Sequence, residues 1–168
     1  MNQPLIGICG LACGLCPARY SQATAGCAGC SWEKASKTQC EFIACRHRGA
    51  GIQFCWECPQ GDSCEIWQKH RQFPGAFGHR QALENNIRFI RRYGTAAFEK
   101  AIIVRERLLR EMLDRYDEGE SAPYLCTAAS TLEIGELEAA LTLAWEASAG
   151  MRRSERAGTL RALLDHMA

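Results

Sequence analysis

Ten cysteines in the first 64 residues have the residue type and spacing of metal ligands. Six of them form three pairs in which two residues separate the thiols: Cys13 and Cys16, Cys27 and Cys30, and Cys55 and Cys58. At this separation a tight turn lets two thiolates reach one metal ion at about 2.3 Å, and two such pairs complete a tetrahedral zinc site. The spacing therefore predicts metal binding in the N-terminal half of the chain.

The cysteines divide most economically into two sets of four ligands. The first set is Cys13, Cys16, Cys27 and Cys30, and the second set is Cys40, Cys45, Cys55 and Cys58. A cross-braced arrangement, in which ligands of the two sites alternate along the chain, fits the spacing equally well, so the pairing stays open. Cys9 and Cys64 are alternative ligands or neighbours of the two sites. We therefore expect two structural zinc ions held by thiolates.

An iron–sulfur cluster is the alternative to zinc. Cysteine thiolates also hold [4Fe–4S] clusters, and ten cysteines are enough for two of them. The stretch CGLACGLCP, residues 9–17, has three close cysteines followed by a proline. The bacterial ferredoxin run is Cys-x2-Cys-x2-Cys-x3-Cys-Pro, whereas this stretch has a longer first gap and lacks the fourth cysteine. The pattern therefore favours zinc.

Two enzymatic interpretations of the same cysteines are less favoured. The Cys9, Cys13 and Cys16 triplet matches that of radical-SAM enzymes, but the chain lacks the repeated strand–helix pattern of a partial barrel. A thioredoxin-like dithiol at Cys13 and Cys16 should follow a buried strand, and the preceding PLIGI is a poor strand. The sequence has no convincing acid–base dyad, phosphate loop or Ser-His-Asp arrangement, so a catalytic role is not expected.

Two histidines and one further cysteine are minor candidates. His47 and His70 lie near cysteines in sequence and could replace a ligand, but both are expected on a basic surface. Cys126 lies in an apolar stretch without a nearby histidine to activate its thiol. We expect Cys126 to be a small buried core residue.

The segments that carry the cysteines cannot build a conventional apolar core. Residues 1–70 contain nine Leu, Ile, Val or Met residues, and none occurs between Cys16 and Phe42. Ordering the backbone costs about 1 to 2 kcal/mol per residue. Structural zinc supplies about 10 to 16 kcal/mol near neutral pH. Bound metal is therefore the expected source of order in this half.

The remaining residues have the apolar periodicity of α-helices. Residues 83–90 place apolar side chains on one helix face, and Gly94 followed by Thr95 predicts a helix end and a new N-cap. An apolar stripe over residues 95–116 predicts one long helix with two i,i+4 ion pairs, Glu106–Arg110 and Glu111–Arg115. Two further helices are predicted over residues 132–149 and from residue 154 to residue 168.

These patterns together predict a two-part organisation. Residues 1–75 form a small α+β or irregular cysteine-rich region stapled by metal, and residues 76–168 form a bundle-like α-helical region packed with it as one unit. The boundary lies in the turn-rich stretch QFPGAFGHR, residues 72–80. The predicted fold is mostly α-helical overall.

Charge and hydropathy limit the expected partners and compartment. The formal net charge is +1, from 20 basic and 19 acidic side chains, which favours neither nucleic acid nor a membrane surface. The first ten residues lack the features of a secretory signal, and no run of about 18 apolar residues occurs. The sequence therefore predicts a cytoplasmic protein, where cysteines bind metal more often than they form disulfides. A protein is the expected kind of partner.

The order of the cysteines resembles a cysteine-rich prokaryotic family known as domain of unknown function 3795. The motifs that carry the resemblance are CGLACGLCPARY (9–20), ATAGCAGC (23–30), CEFIAC (40–45), CWECPQGDSC (55–64) and the helix ENNIRFIRRYG (84–94). The resemblance covers about residues 5–94. It implies a bacterial or archaeal protein that binds metal through these cysteines and has no established reaction. Relatives have an IRxCA sequence near the seventh cysteine, where this chain reads FIACR.

Overall fold

The computed structural model describes residues 5–20, 42, 45, 51–72 and 79–168. Within these residues the chain is mostly helical, with seven α-helices, three short 3-10 turns and no β-strand. A single antiparallel bridge pairs Ile6 with Ala12. The prediction of a mostly α-helical fold is confirmed, and the β structure expected near the cysteines is limited, in the described part, to this bridge.

The cysteine-rich half contains short elements. The 3-10 turns span Cys13–Leu15, Cys55–Glu57 and Gly61–Ser63, and two helices follow them, α1 (Pro17–Tyr20) and α2 (Glu65–Gln72). Helix α1 begins with a proline, whose fixed φ suits the first helical turn. Helix α2 has an acidic residue in its first turn and basic residues in its last turn, which is the order that the helix dipole favours.

Five longer helices form the remainder: α3 (His79–Tyr93), α4 (Thr95–Tyr116), α5 (Ala122–Thr131), α6 (Ile134–Ala147) and α7 (Arg153–Met167). The predicted long helix has the expected bounds, and both predicted ion pairs form. Its N-cap is Gly94, with φ of 82°, one residue before the predicted cap at Thr95. The positive φ is readily accessible to glycine and costs other residues free energy.

Helix α5 was not predicted from the sequence. Its residues, APYLCTAAST, are mostly small or β-branched and show no wide apolar stripe. The helix follows a turn in which Asp117 Oδ1 accepts hydrogen bonds from the backbone N–H groups of Gly119 and Ser121, at 3.0 and 2.9 Å. Pro123 then lies in the first turn, where its missing N–H costs nothing. Local turn chemistry and burial thus support a helix that the apolar pattern does not reveal.

One apolar core joins the two halves of the chain. Helix α4 packs against α3, α5, α6 and α7. Its buried residues share a cluster with four residues of the cysteine-rich half: Ile6, Ala12, Leu15 and Phe54. A smaller cluster joins Trp67 of α2 to Leu83 and Ile87 of α3. The predicted boundary falls mostly in residues 73–78, which lie outside the described residues. None of the described helices has the length and apolar character needed to cross a membrane.

Candidate functional site

Two of the predicted ligand pairs lie on turns with the same backbone geometry. The amide of Cys16 donates to the carbonyl of Cys13 at 3.4 Å, and the amide of Cys58 donates to the carbonyl of Cys55 at 3.2 Å. The second cysteine of each turn has nearly the same dihedral angles, φ −77° and ψ 126° at Cys16 and φ −69° and ψ 125° at Cys58. Side chains three residues apart in a 3-10 turn lie on the same side. Each turn therefore starts the side chains of its two cysteines on the same side of the backbone.

Cys64 ends a third turn that continues the second. The amide of Gly61 donates to the carbonyl of Cys58 at 2.8 Å, and the amide of Cys64 donates to the carbonyl of Gly61 at 3.3 Å. The amide of Gln68 in α2 then donates to the carbonyl of Cys64 at 2.9 Å. Its side-chain Nε2 reaches back to the carbonyl of Gly61 at 3.1 Å. Helix α2 thus anchors the run of turns from Cys55 to Cys64.

The two cysteine segments meet at the loop before the first turn. The amide of Cys55 donates to the carbonyl of Ile8 at 3.0 Å. Gly10 has φ of 87°, and a Cβ atom there would lie 2.7 Å from both Trp56 Cζ3 and Leu83 Cδ1. Glycine is therefore required at this position both by the backbone conformation and by the space available.

Two side chains from outside the loop bind its carbonyl groups. The side-chain Nδ2 of Asn86 donates to the carbonyl of Gly10 at 3.0 Å, and Asn86 is 8% exposed. The Nε2 atom of His70 lies 3.0 Å from the carbonyl oxygen of Cys9. His70 was expected on a basic surface, but it is half-buried and makes an edge contact with the ring of Phe42, with centroids 4.9 Å apart. Both residues orient the cysteine loop through its backbone.

A third side chain holds the first turn from the other side. The hydroxyl of Tyr20 donates to the carbonyl of Gly14 at 2.7 Å. Burial raises the pKa of Tyr20 to about 12, so the hydroxyl keeps its proton at neutral pH. A Cβ atom on Gly14 would lie 2.7 Å from Glu106 Oε2. The Glu106 carboxylate, 12% exposed, binds Arg110 at 2.6 Å and lies 3.6 Å from Arg19. The ion pair of Glu106 and Arg110 on α4 therefore packs against this turn and supports it.

Seven of the ten predicted ligands are described, and all are half-buried: Cys9, Cys13, Cys16, Cys45, Cys55, Cys58 and Cys64. Cys27, Cys30 and Cys40 lie outside the described residues, as does His47. Among the described residues, no three His, Cys, Asp or Glu side chains are grouped so as to hold a metal ion. No disulfide joins two of the described cysteines. Each predicted set of four includes a cysteine outside the described part, so both sets stay predictions.

Cys126 differs from these residues in its environment. It is 0% exposed and belongs to the main core cluster, which confirms the prediction of a buried core residue. Burial raises the pKa of its thiol to about 12, and the nearby Cys16 thiol acts in the same direction. A thiol that stays protonated at neutral pH is a poor nucleophile and a poor metal ligand.

A cavity of about 910 Å³ lies between the first cysteine turn and helices α3, α4 and α5. Leu15, Phe89 and Ile102 contribute apolar wall, and Cys16 is also part of the wall. Sequence reasoning did not anticipate this cavity.

A charged residue on the apolar stripe of α4 belongs to the same wall. Arg105 lies three residues after Ile102 and four before Leu109, and both of these neighbours are buried. It lines the cavity together with Ile102. An arginine at such a position is the sequence signal that would have identified this site.

Comparison with protein-family models, curated proteins and solved structures found no match. The family resemblance therefore depends on the order of the cysteines and on the motifs quoted above.

Proposed function

We propose that this chain is a metal-binding protein in which cysteine thiolates hold structural zinc, and that it acts as a protein-interaction or regulatory module. The observation that carries the proposal is the repeated turn at Cys13–Cys16 and Cys55–Cys58, with matching dihedral angles at the second cysteine. Paired thiols on such a turn suit the tetrahedral geometry of zinc. The expected ligands are the two sets of four given above, with Cys9 and Cys64 as alternates.

The burial of the cysteines supports the same assignment. Cysteine that serves only as an apolar residue is usually buried, as Cys126 is. The seven described cysteines of the N-terminal half are instead half-buried. Partial exposure leaves the thiols accessible to an entering metal ion, while the surrounding hydrogen bonds limit the backbone movement that binding requires.

The interaction role is proposed from the helical half. Two large apolar side chains of α6 are exposed, Leu143 at 45% and Trp145 at 58%. The guanidinium of Arg115 lies 4.7 Å from the centre of the Trp145 ring. Exposed tryptophan beside arginine is typical of protein-binding surfaces. We place the protein in the cytoplasm, where thiols remain reduced and able to bind metal.

We also propose membership of the cysteine-rich family known as domain of unknown function 3795. Gly10 belongs to the CGL motif and Asn86 to the ENN motif, and a buried hydrogen bond joins the two residues. The contact gives a physical reason for both motifs to occur in one chain.

An iron–sulfur protein for electron transfer or redox sensing is the second candidate. Three cysteines lie within eight residues at Cys9, Cys13 and Cys16, and α1 begins at Pro17 directly after the third. The carbonyls of Cys9 and Gly10 are held by side chains, which leaves a loop of defined shape around these thiols. Such a loop is also suited to hold a cluster.

Metal analysis of protein purified under strict anaerobiosis tests both candidates. We expect about two zinc ions per chain and no acid-labile sulfide, as two four-cysteine sites require. Several iron atoms with matching sulfide would instead establish the second candidate. Cys58→Ser should reduce the zinc content, whereas Cys126→Ala, the matched control in the core, should leave it unchanged. Metal-free wild-type protein with a native circular dichroism spectrum would contradict both candidates.

A further inference from the structure

The cavity between α3, α4 and α5 has the size and wall composition of a small-molecule site. Its volume of about 910 Å³ lies within the range of known ligand pockets, about 300 to 1,000 Å³. Its apolar wall includes two aromatic rings, Phe89 and Phe98, and the side chain of Ile102. Apolar walls with a few polar groups are typical of such pockets. The polar groups therefore indicate which ligand fits.

Arg105 is the most constrained polar group of the cavity. Its Nη1 atom donates to the carbonyls of Ala129 and Leu132 at the end of α5, at 2.7 and 2.6 Å. Its Nε and Nη2 atoms have no hydrogen-bond partner in the described part of the chain. Both atoms keep some solvent-accessible surface, so a ligand can reach them. Burial lowers the pKa of this guanidinium, because the cation is poorly solvated. A fixed guanidinium with unused donors favours a bound anion.

The other charged side chains around the cavity are mainly basic. Arg88 and Arg92 lie one turn apart on α3, are exposed, and line the cavity. Glu133 is the acidic residue of the described wall, so three arginines and one glutamate give a formal charge of +2. The hydroxyls of Ser130 and Thr131 donate to backbone carbonyls of α5, at 2.7 and 2.9 Å. The donors available to a ligand are therefore mainly the guanidinium groups.

We propose that this cavity binds a small amphipathic anion, with its carboxylate or phosphate at Arg105 and its apolar part against Phe89, Phe98 and Ile102. A guanidinium forms paired hydrogen bonds with either head group. The proposal goes beyond the metal-binding function and does not depend on which metal is present. Cys16 is part of the wall, so a bound molecule lies beside one of the proposed metal-binding turns.

The test is isothermal titration calorimetry on the full chain purified with its native metal. The probes are decanoate, decyl phosphate and decyltrimethylammonium, which share one apolar chain and differ in the charge of the head group. We expect at least one of the two anions to bind at least tenfold more tightly than the cation. The anion that binds more tightly shows whether the site prefers a carboxylate or a phosphate. Equal affinity for the cation, or no binding of either anion, would overturn the proposal.

Matched variants place the binding in this cavity. Arg105→Gln should weaken anion binding at least tenfold, and Arg107→Gln, at an exposed position on the same helix, should leave it unchanged. Since Arg105 also caps α5, folding of the variant is checked by circular dichroism. Ala101→Phe fills the cavity without changing its charge and should abolish binding even if Arg105→Gln does not fold. Full affinity in Ala101→Phe would refute the assigned location.

Discussion

The side chain of Asn86 donates a hydrogen bond of 3.0 Å to the carbonyl of Gly10, and both residues are buried. The bond links positions 76 residues apart and ties helix α3 to the cysteine loop. Asn86→Ala leaves a buried carbonyl without its donor, which should lower the free energy of unfolding by about 1 to 3 kcal/mol. Urea denaturation measures the loss. Asn85→Ala is the control, since its hydrogen bonds are exposed, and equal losses in both variants would contradict the assignment.

Gly10 provides a second test of the same loop. An alanine there would adopt a strained positive φ and would also contact Trp56 and Leu83 at 2.7 Å. Gly150 has φ of 78° and open space around it, so Gly150→Ala carries the backbone strain alone. We expect Gly10→Ala to cost about 1 to 3 kcal/mol more than Gly150→Ala, from overpacking. Thermal unfolding of both variants measures the difference, and similar losses would show that the loop relaxes around the added methyl group.

Two ion pairs on α4 share i,i+4 geometry and differ in burial. Glu106 is 12% exposed and pairs with Arg110, whereas Glu111 is 37% exposed and pairs with Arg115. Glu106→Gln should lower the free energy of unfolding by about 1 to 2 kcal/mol, because the negative charge that strengthens a half-buried hydrogen bond is lost. Glu111→Gln should cost only about 0.3 to 0.5 kcal/mol. Chemical denaturation at one salt concentration compares the two variants. A larger loss in Glu111→Gln than in Glu106→Gln would contradict the supporting role of Glu106 at the turn that begins at Cys13.

Cys126 should make stability depend on pH in the alkaline range. Burial raises its pKa from 9.0 to about 12, so above pH 9 the unfolded chain releases a proton that the native chain retains. The contribution of the protonated Cys126 thiol to the free energy of unfolding is therefore fully present below pH 9 and is lost as the pH rises toward 12. The slope is at most about 1.4 kcal/mol per pH unit. Urea denaturation of wild type and Cys126→Ala from pH 8 to about 11 isolates this contribution, and parallel profiles would exclude it.

The long helix of residues 95–116 was predictable because its apolar stripe repeats over six turns. Its stop at Asp117 follows from the charged, glycine-containing turn that comes next. Helix α5 was not predictable, because its ten residues, most of them small or β-branched, carry no clear apolar period. Length and periodicity thus decided which helices the sequence revealed.

The candidate site was predictable in its residue types and not in its supporting contacts. The Cys-x2-Cys spacing indicated paired thiols, and Cys13 and Cys55 each begin a 3-10 turn that ends before the second cysteine of the pair. The hydrogen bonds from His70 and Asn86 join residues more than 60 positions apart, and no local pattern encodes them. Contacts of this kind arise only when the whole chain packs.

The main core contains four residues of the cysteine-rich half alongside the buried faces of α4 to α7. A truncated chain that begins at residue 76 would lose Leu15 and Phe54 from this core and expose the apolar surfaces they cover. A cysteine-rich fragment expressed alone would likewise expose Leu15 and Phe54, because the helices that cover them would be missing. Each half therefore covers apolar surface of the other, and a recombinant protein that inherited one half alone would be less stable.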